Sequence, residues 1–300
     1  MKLGMVGLGR MGSGMTERLR RDGHEVMTFD PNVESTATSL AELATQLEPP
    51  RVVWLMVPSG EVTEQTVQDA LGVLEPDDVV VDGGNSFFRD SIRRHELAES
   101  RGIHFVDVGV SGGVWGLEVG FCLMAGGEDE ATGRLRPIFE SLAPENGWAD
   151  VGGPGAGHFV KMVHNGIEYG LMQAYAEGFE LMNHSQFDLD LQQIAGIWRY
   201  GSVVRSWLLD LLYEAFTENG SQLDAIAPYV EDSGEGRWTI NEAIKENVPV
   251  PVISAALFAR FASRREIDFA AKVAAALRNQ FGGHAVRAAE KRVEDPDRSR

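Results

Sequence analysis

The order of apolar and polar positions divides the chain into short and long segments. Over about the first 150 residues, short β-branched apolar runs alternate with longer amphipathic stretches. Buried parallel strands give continuous apolar runs, and the helices that connect them repeat with a period of about 3.6 residues. The pattern predicts strands at residues 2–6, 25–30, 51–57, 78–82, 103–108 and 120–125. It predicts helices at residues 11–22, 38–47, 60–71, 87–100 and 129–142. We therefore expect an α/β fold with a doubly wound parallel sheet.

A cluster of glycines around Pro154, at residues 152–157, interrupts this alternation. After it, strand-like runs almost vanish and long helical patterns take over. We therefore predict two domains, residues 1–154 with the sheet and residues 155–300 all helical. One of the later helices should end near Tyr200, with Asp188 or Asp190 as its N-cap. The polar residues 292–300 predict a frayed terminus.

Composition narrows the class of protein. The formal charge is −18 at pH 7, because 45 acidic side chains outnumber 27 basic ones. Nucleic acid and anionic membranes demand a positive surface field, so neither is expected as a partner. The amino terminus lacks a signal-peptide pattern, and no apolar run approaches the roughly 20 residues of a spanning helix. The single cysteine, Cys122, cannot form an intramolecular disulfide. We expect a cytoplasmic protein.

A glycine-rich loop with the spacing G-x-G-x-x-G follows the first predicted strand. It consists of Gly7, Leu8, Gly9, Arg10, Met11 and Gly12. In such a loop the first glycine permits a tight turn, the second lets the backbone approach a pyrophosphate, and the third lets the helix pack on the strand. The phosphates then lie at the helix N-terminus. The loop predicts that the N-terminal domain is of the Rossmann type.

Asp30 ends the second predicted strand, 23 residues after Gly7. A carboxylate at this place can accept hydrogen bonds from the adenosine ribose hydroxyls, and it repels a 2′-phosphate. The following Pro31 and Asn32 supply no cation to neutralise such a phosphate. We therefore predict NAD rather than NADP, the alternative being that Asp30 only caps its turn.

Three more segments follow predicted strands, at the edge of the sheet where α/β proteins bind ligands. Val57 and Pro58 are expected to line the cofactor, although a simple strand-to-helix turn is an equal alternative. Asn85, in the segment DGGNS, offers a donor and an acceptor beside two glycines, the alternative being an ordinary Asn-containing turn. The third segment consists of Ser111, Gly112 and Gly113. Its exposed amides beside a small hydroxyl suit a carboxylate or a phosphate, but they are also typical of a plain glycine-rich loop.

A polar stripe runs along the predicted helix that begins near His158. Its members recur at i, i+3, i+4, i+7 and i+8, and they are Lys161, His164, Asn165, Glu168 and Tyr169. The flanks of the stripe are apolar, so the alternative of a solvated surface stripe is disfavoured, and burying these polar groups is costly unless they meet a ligand or each other. A lysine held there can lose its proton near neutral pH and act as a base, and the glutamate can serve as the acid.

Together these segments resemble the 6-phosphogluconate dehydrogenase family, in its short, NAD-linked, decarboxylating form. The resemblance runs from Met1 to about Arg287. It is most specific in the segments DGGNS, VSGGVWGLEVGFCLMAGG, GHFVKMVHNGIEYG, EGRWT and LRNQFGGH. It implies oxidative decarboxylation of 6-phosphogluconate to ribulose 5-phosphate and carbon dioxide, a step of the pentose phosphate pathway. Lys161 would be the general base and Glu168 the acid that protonates the enediol, with His164 and Asn165 beside them.

The resemblance also implies the groups that hold the substrate. The carboxylate and hydroxyls of the sugar acid would contact Asn85, Ser111, Gly112, Gly113, His164 and Asn165. The distal phosphate would contact Tyr169, Arg237, Arg260, Arg278 and His284. Longer members usually have Lys where Arg237 stands, so the donor geometry differs here. The segment with Arg278 and His284 reaches a neighbouring subunit in the family, which implies a homo-oligomer, dimer or tetramer. No metal is expected, because the keto group of the intermediate takes up the electrons.

Two other functions compete with this reading. A β-hydroxyacid dehydrogenase that does not decarboxylate would share the dinucleotide loop, the SGG segment and the helix lysine. A catalytically silent, NAD-binding regulatory protein would keep only the fold. Lys161, Asn165 and Glu168 count against the silent protein, because a binding module has no use for a base and an acid on one face.

Overall fold

The computed structural model describes residues 1–265, 269–282 and 285 of the chain. Within these residues seven strands form one sheet in the order β2-β1-β3-β4-β5-β6-β7. The first five strands are parallel, β6 is antiparallel to β5, and β7 is parallel to β6. The strands are β1 (Lys2–Val6), β2 (Glu25–Phe29), β3 (Val52–Leu55), β4 (Val79–Asp82), β5 (His104–Ser111), β6 (Cys122–Gly126) and β7 (Trp148–Gly152).

The predicted doubly wound fold is confirmed, with two corrections at its far edge. The sheet is not parallel throughout, and β7 was missed because its exposed and half-buried residues lack an apolar run. The predicted strand at 51–57 ends early, at Leu55, so Val57 lies in the loop after β3.

Helices cover both faces of the sheet. They are α1 (Arg10–Arg21), α2 (Leu40–Thr45), α3 (Glu61–Val73), α4 (Phe88–Glu99), α5 (Gly116–Val119) and α6 (Asp129–Leu142). Side chains of each strand alternate between the two layers. In β3, Val52 and Trp54 belong to one buried cluster, whereas Val53 and Leu55 belong to the other. Both faces of the strand are therefore buried, which explains its unbroken apolar run.

After the sheet the described chain is helical. The helices are α7 (Ala156–Asn183), α8 (Leu191–Trp198), α9 (Trp207–Asn219), α10 (Glu235–Lys245), α11 (Pro251–Ser263) and α12 (Phe269–Gly282). Asp190, one of the two predicted caps, accepts a hydrogen bond from the Gln193 amide at the start of α8. Residues 292–300 lie outside the described part. Among the described residues, no helix combines the length and the apolar character needed to cross a bilayer.

The helix α7 joins the two halves of the molecule. It begins beside Gly155, which has a φ of +87°, and its first turns pack against β5 and β6. A Cβ atom at Gly109 of β5 would lie 2.4 Å from the Cβ of Lys161, so only glycine lets the helix come this close. The helix that follows residue 154 thus packs on the sheet of the preceding half. The division into two domains at this residue stays a prediction.

Candidate active site

A cavity of about 860 Å³ opens at the carboxyl ends of the parallel strands. Most of the predicted cofactor residues line it: Gly7, Gly9, Arg10, Met11, Gly12, Asp30, Val57, Pro58 and Asn85. Leu8 is the exception among them, because its side chain packs against the core. Its backbone amide instead donates a hydrogen bond to Asp30.

The three glycines of the loop differ in what surrounds them. Gly7 has a φ of +91°, and a Cβ there would lie 2.5 Å from the carbonyl oxygen of Met56. A Cβ at Gly12 would lie 2.0 Å from the carbonyl oxygen of Gly7. At Gly9 a Cβ would meet no atom within 4 Å. Gly7 and Gly12 are thus required by the fold itself, whereas Gly9 leaves open space where a pyrophosphate would approach.

Asp30 ties the loop to the end of β2. Its Oδ2 accepts the Leu8 amide at 2.7 Å, and its Oδ1 accepts the Asn32 amide at 2.8 Å. The carboxylate therefore does cap its own turn. Each oxygen has a second lone pair that can accept a ribose hydroxyl, so capping does not prevent the predicted contact.

A buried ionic network shapes the DGGNS segment. Asp82 Oδ2 accepts hydrogen bonds from Ser86 Oγ at 2.7 Å and from Arg94 at 3.1 Å. Asp82 Oδ1 accepts the Gly84 amide at 3.1 Å. These contacts pair both buried charges and hold the turn so that Asn85 lines the cavity.

A second cavity, of about 930 Å³, lies on the other side of α7. Its walls include the predicted substrate residues Ser111, Gly112, Gly113, His164 and Glu168. The two cavities share four lining residues, namely Met11, Val110, Lys161 and Asn165. The lysine and the asparagine therefore stand at the junction between the dinucleotide loop and the glycine-rich cradle.

Hydrogen bonds connect the polar groups at this junction. His164 Nε2 lies 3.4 Å from Ser111 Oγ, and His164 Nδ1 lies 2.9 Å from Asn165 Oδ1. Glu168 Oε2 is 3.8 Å from the same His164 Nδ1. Burial lowers the pKa of Lys161, while the negative charges of Glu168 and Glu235 act to raise it. The balance favours a lysine that can give up its proton more readily than one in water.

The side chains of the polar stripe on α7 point in two directions. Tyr169 does not line either cavity but is buried against Ala256 and Leu257 of α11. Its hydroxyl accepts the Ser233 amide at 3.2 Å. Tyr169 therefore points toward α11 and not into the two cavities that Lys161 lines.

The predicted phosphate contacts lie around Tyr169. The guanidinium of Arg260 stacks 3.5 Å from the centre of the Tyr169 ring. Arg237 binds both oxygens of Asp232, at 2.7 and 3.0 Å, and Arg264 binds Asp232 at 2.8 Å. Two arginines of the chain are therefore already paired with a carboxylate at the place where a phosphate was expected.

Of the two remaining predicted phosphate contacts, Arg278 is not brought to the site within the described part of this chain. Arg278 is exposed on α12 and lines neither cavity. His284 lies outside the described residues.

The apolar flank of α7 is open, since Ile167 is 53% exposed and Leu171 is exposed as well. Both residues line the second cavity, so this apolar flank is not covered by the described residues of the single chain.

Sequence reasoning missed two carboxylates beside the site. Asp107 of β5 accepts the amides of Gly155 and His158 at 2.7 Å each and so caps α7. Glu235 accepts a hydrogen bond from Asn165 Nδ2 at 2.7 Å. Glu235 stands in the EGRWT segment, but nothing in that segment alone signals which helix it meets.

One group of side chains outside the two cavities is close enough to share a metal ion. Among the described residues it consists of His95, Glu99 and Glu128. None of the three lines a cavity that contains Lys161. That catalysis uses no metal stays a prediction.

Comparisons with known proteins cover nearly the whole chain. The model of the NAD binding domain of 6-phosphogluconate dehydrogenase matches residues 2–152, and the model of the 6-phosphogluconate dehydrogenase C-terminal domain matches residues 157–295. The NAD(+)-dependent, decarboxylating 6-phosphogluconate dehydrogenase of Haloferax volcanii is 45% identical in an alignment that covers 95% of this chain and 98% of that protein.

Solved structures agree with these matches. The 6-phosphogluconate dehydrogenase of Plasmodium falciparum, studied alone, with its cofactor NADP+ and with 6-phosphogluconate, has a TM-score of 0.78 at 25% identity, over 97% of this chain and 67% of that chain. The 3-hydroxyisobutyrate dehydrogenase of Mycobacterium tuberculosis has a TM-score of 0.71 at 26% identity, over 92% of this chain and 99% of that chain. The two family models and the Haloferax relative confirm the resemblance seen in the sequence: the chain belongs to the 6-phosphogluconate dehydrogenase family.

Proposed function

We propose that the protein oxidises and decarboxylates 6-phosphogluconate to ribulose 5-phosphate and carbon dioxide, with reduction of NAD. The observation that carries this proposal is the position of Lys161, which lines both the dinucleotide cavity and the cavity of the glycine-rich cradle. A base at that junction can reach a substrate hydroxyl whose carbon faces the nicotinamide. The function named for the Haloferax relative supports the same reaction.

The proposed reaction has three steps, in which Lys161 and Glu168 move protons. Neutral Lys161 takes the proton of the substrate hydroxyl, and bound NAD supplies the acceptor for the hydride that leaves the same carbon. The product is a β-keto acid, which loses carbon dioxide because its carbonyl takes up the electrons. Protonated Lys161 then stabilises the enolate by its charge. Protonated Glu168, on the same wall of the cavity, donates its proton to the enolate carbon that lost carbon dioxide, which gives the ketone. The proton held by Lys161 then replaces the one that Glu168 gave up.

Substrate binding follows from the polar groups around Lys161. Ser111, Gly112, Gly113 and Asn85 would hold the carboxylate and hydroxyls, with His164 and Asn165 beside the reacting carbon. Tyr169, Arg237 and Arg260 would meet the phosphate, and Arg237 would then exchange Asp232 for the phosphate as its partner. Arg278 and His284 would come from a neighbouring subunit.

For the coenzyme, the Asp30 carboxylate at the end of β2 supports NAD over NADP. It lies at the edge of the cavity, next to Pro31 and Asn32, where a 2′-phosphate would meet a negative charge. The test compares kcat/KM for the two coenzymes in the wild type and in Asp30→Ala. The wild type should prefer NAD, and the substitution should reduce this preference. A wild type that prefers NADP would refute the proposal.

A homo-oligomer in the cytoplasm is the assembly that we propose. The open flank of α7 and the exposed apolar residues of α12 support self-association, because large exposed apolar patches mark interaction surfaces. These α12 residues are Phe269, Val273 and Leu277. Sedimentation of the purified protein tests this, and an active monomer would exclude a site shared between subunits.

The decisive assay supplies purified protein with 6-phosphogluconate and NAD and measures both NADH and carbon dioxide. One carbon dioxide per NADH is expected. The likeness to the Mycobacterium 3-hydroxyisobutyrate dehydrogenase, which spans 99% of that chain, supports a second candidate, oxidation without decarboxylation. Reduction of NAD by simple β-hydroxy acids without release of carbon dioxide would favour that candidate.

A further inference from the structure

Glu235 is a buried carboxylate that the proposed mechanism does not use. It is the first residue of α10, and only 3% of its surface is exposed. Its Oε1 accepts the hydrogen bond from Asn165 Nδ2 at 2.7 Å. Its Oε2 is buried as well, and no hydrogen-bond partner for it exists among the described residues. A buried charge with half of its acceptors unused is costly, so its retention requires a reason.

The start of α10 is held tightly against α7, which fixes this carboxylate. Thr239 Oγ1 donates a hydrogen bond to the carbonyl oxygen of Met162 at 2.9 Å. A Cβ at Gly236 would lie 2.6 Å from the ring of Tyr169, so the two helices touch through a glycine. The first turn of a helix also favours a negative side chain. These contacts fix the backbone at Glu235 relative to α7.

The carboxylate lies in the wall of the dinucleotide cavity, which it shares with Lys161. Lys161, Asn165 and Glu235 line that wall together. Three titratable groups act on the charge of Lys161, namely Glu168 on α7, Glu235 on α10 and Cys122 on β6, and His164 lies beside Glu168. Of the two carboxylates, Glu235 is buried, whereas Glu168 is partly exposed and is needed for proton transfer. Glu235 is thus the buried carboxylate in the wall that it shares with Lys161, whereas Glu168 is the carboxylate that the proposed mechanism uses for proton transfer.

We propose that Glu235 is a positioning residue, which orients the Asn165 carboxamide through Oε1 and acts as the fixed counter-charge of Lys161. This inference rests on the proposed role of Lys161 as the base. The fixed charge holds the lysine side chain in the cavity when it is protonated, including the step in which it stabilises the enolate. It also opposes the effect of burial, so that the lysine is not left permanently neutral.

The variant Glu235→Gln separates charge from shape. The glutamine oxygen can still accept the hydrogen bond from Asn165, but the negative charge is gone. Lys161 should then lose its proton more readily, so the acidic limb of the kcat/KM profile should move to lower pH while the KM for NAD stays unchanged. Glu235→Asp keeps the charge but retracts the oxygen from Asn165. It should leave the limb in place and lower kcat by up to about 100-fold, since the geometry is lost.

A second measurement reads Lys161 without turnover. The neutral amine reacts with trinitrobenzenesulfonate, and the rate of modification at Lys161, followed by peptide mass analysis, should shift to lower pH in Glu235→Gln. The matched control is Glu246→Gln, because Glu246 is an exposed carboxylate at the other end of α10. In the control, both profiles should remain those of the wild type.

The outcomes separate this inference from the proposed function. A wild type that is inactive on 6-phosphogluconate removes the proposed reaction, but the modification profile still tests the charge pairing. An unchanged modification profile in Glu235→Gln, in protein with the wild-type circular dichroism spectrum, overturns the inference whatever the substrate. If Glu235→Gln does not fold, Glu235→Asp decides, because a kcat equal to that of the wild type would exclude a role in orienting Asn165.

Discussion

Asp107 in the middle of the sheet caps the helix that carries the proposed base, because its Oδ2 accepts the backbone amide of His158 at 2.7 Å. Its Oδ1 accepts the Gly155 amide at the same distance. No side chain at the start of α7 itself makes this cap. Burial raises the pKa of Asp107, and the two amides oppose that effect. The sheet thereby fixes the first turn of α7, and Lys161 lies in the next turn.

Asp107→Asn should weaken both the fold and the catalysis. The carboxamide has one acceptor oxygen where two amides need one each, so one buried amide loses its partner, at a cost of about 1–3 kcal/mol. Urea denaturation should show this loss in the free energy of unfolding, and kcat should fall because the first turn of α7 moves. The control is Asp188→Asn at an exposed carboxylate. Equal stability of the two variants would show that Asp107 is not the cap that the geometry indicates.

Replacing Lys161 should remove turnover without removing cofactor binding. Both Lys161→Met and Lys161→Arg lack a group that can take a proton near neutral pH, and loss of a general base costs about 10² to 10⁴ in kcat. Fluorescence titration should give a wild-type dissociation constant for NADH in both. Lys245→Met, at the exposed end of α10, is the control and should be fully active. If Lys161→Arg kept normal turnover, proton removal by Lys161 would be excluded.

Most of the fold could be predicted because its signals are local. The alternation of Val52 to Leu55 between two buried layers makes an apolar run that a sequence shows directly. The glycine spacing of the loop reflects contacts within one strand, turn and helix. The strand β7 could not be predicted in this way, because it is an edge strand whose pairing with β6 depends on the tertiary fold.

The site could be predicted only in part, because some of its contacts join residues that lie far apart in the sequence. Lys161 and Glu168 share one helix, so their spacing places them on one wall without knowledge of the rest of the chain. Tyr169 belongs to the same stripe, but its contacts with Ala256 and Leu257 of α11 direct it away from the two cavities. Glu235 reaches Asn165 across 70 residues of sequence, and no periodicity reports such a contact.

The arginine pair around Asp232 should give the protein an acid-sensitive contribution to stability. Hydrogen bonds from Arg237, and then from Arg264, lower the pKa of Asp232 to about 2. Its side chain is 4% exposed, whereas that of Arg237 is 51% exposed, so solvent screens the pair in part. An unfolded Asp has a pKa near 3.9, so the stabilisation, about 1 kcal/mol after this screening, is complete above about pH 5 and is lost as the pH falls toward 2.

Asp232→Asn tests this directly. Between pH 5 and 2, the free energy of unfolding of the wild type should fall by about 1 kcal/mol more than that of the variant, because only the wild type has this carboxylate to protonate. Asp188→Asn should follow the wild type. Parallel curves for wild type and Asp232→Asn would mean that the ion pair does not form in solution.

Mixing two inactive variants should restore activity if each site takes Lys161 from one subunit and Arg278 from its partner. Arg278 is exposed in the single chain and lines neither cavity, so it needs a neighbour to act. In a symmetric dimer of Lys161→Met with Arg278→Ala, one site has both defects and the other has none. Random exchange makes half of the dimers mixed, so the expected recovery is about a quarter of wild-type activity. Each variant refolded alone is the control. Activity that stays at the sum of the two parents, in samples shown by mass spectrometry to contain mixed dimers, would place Arg278 outside the active site.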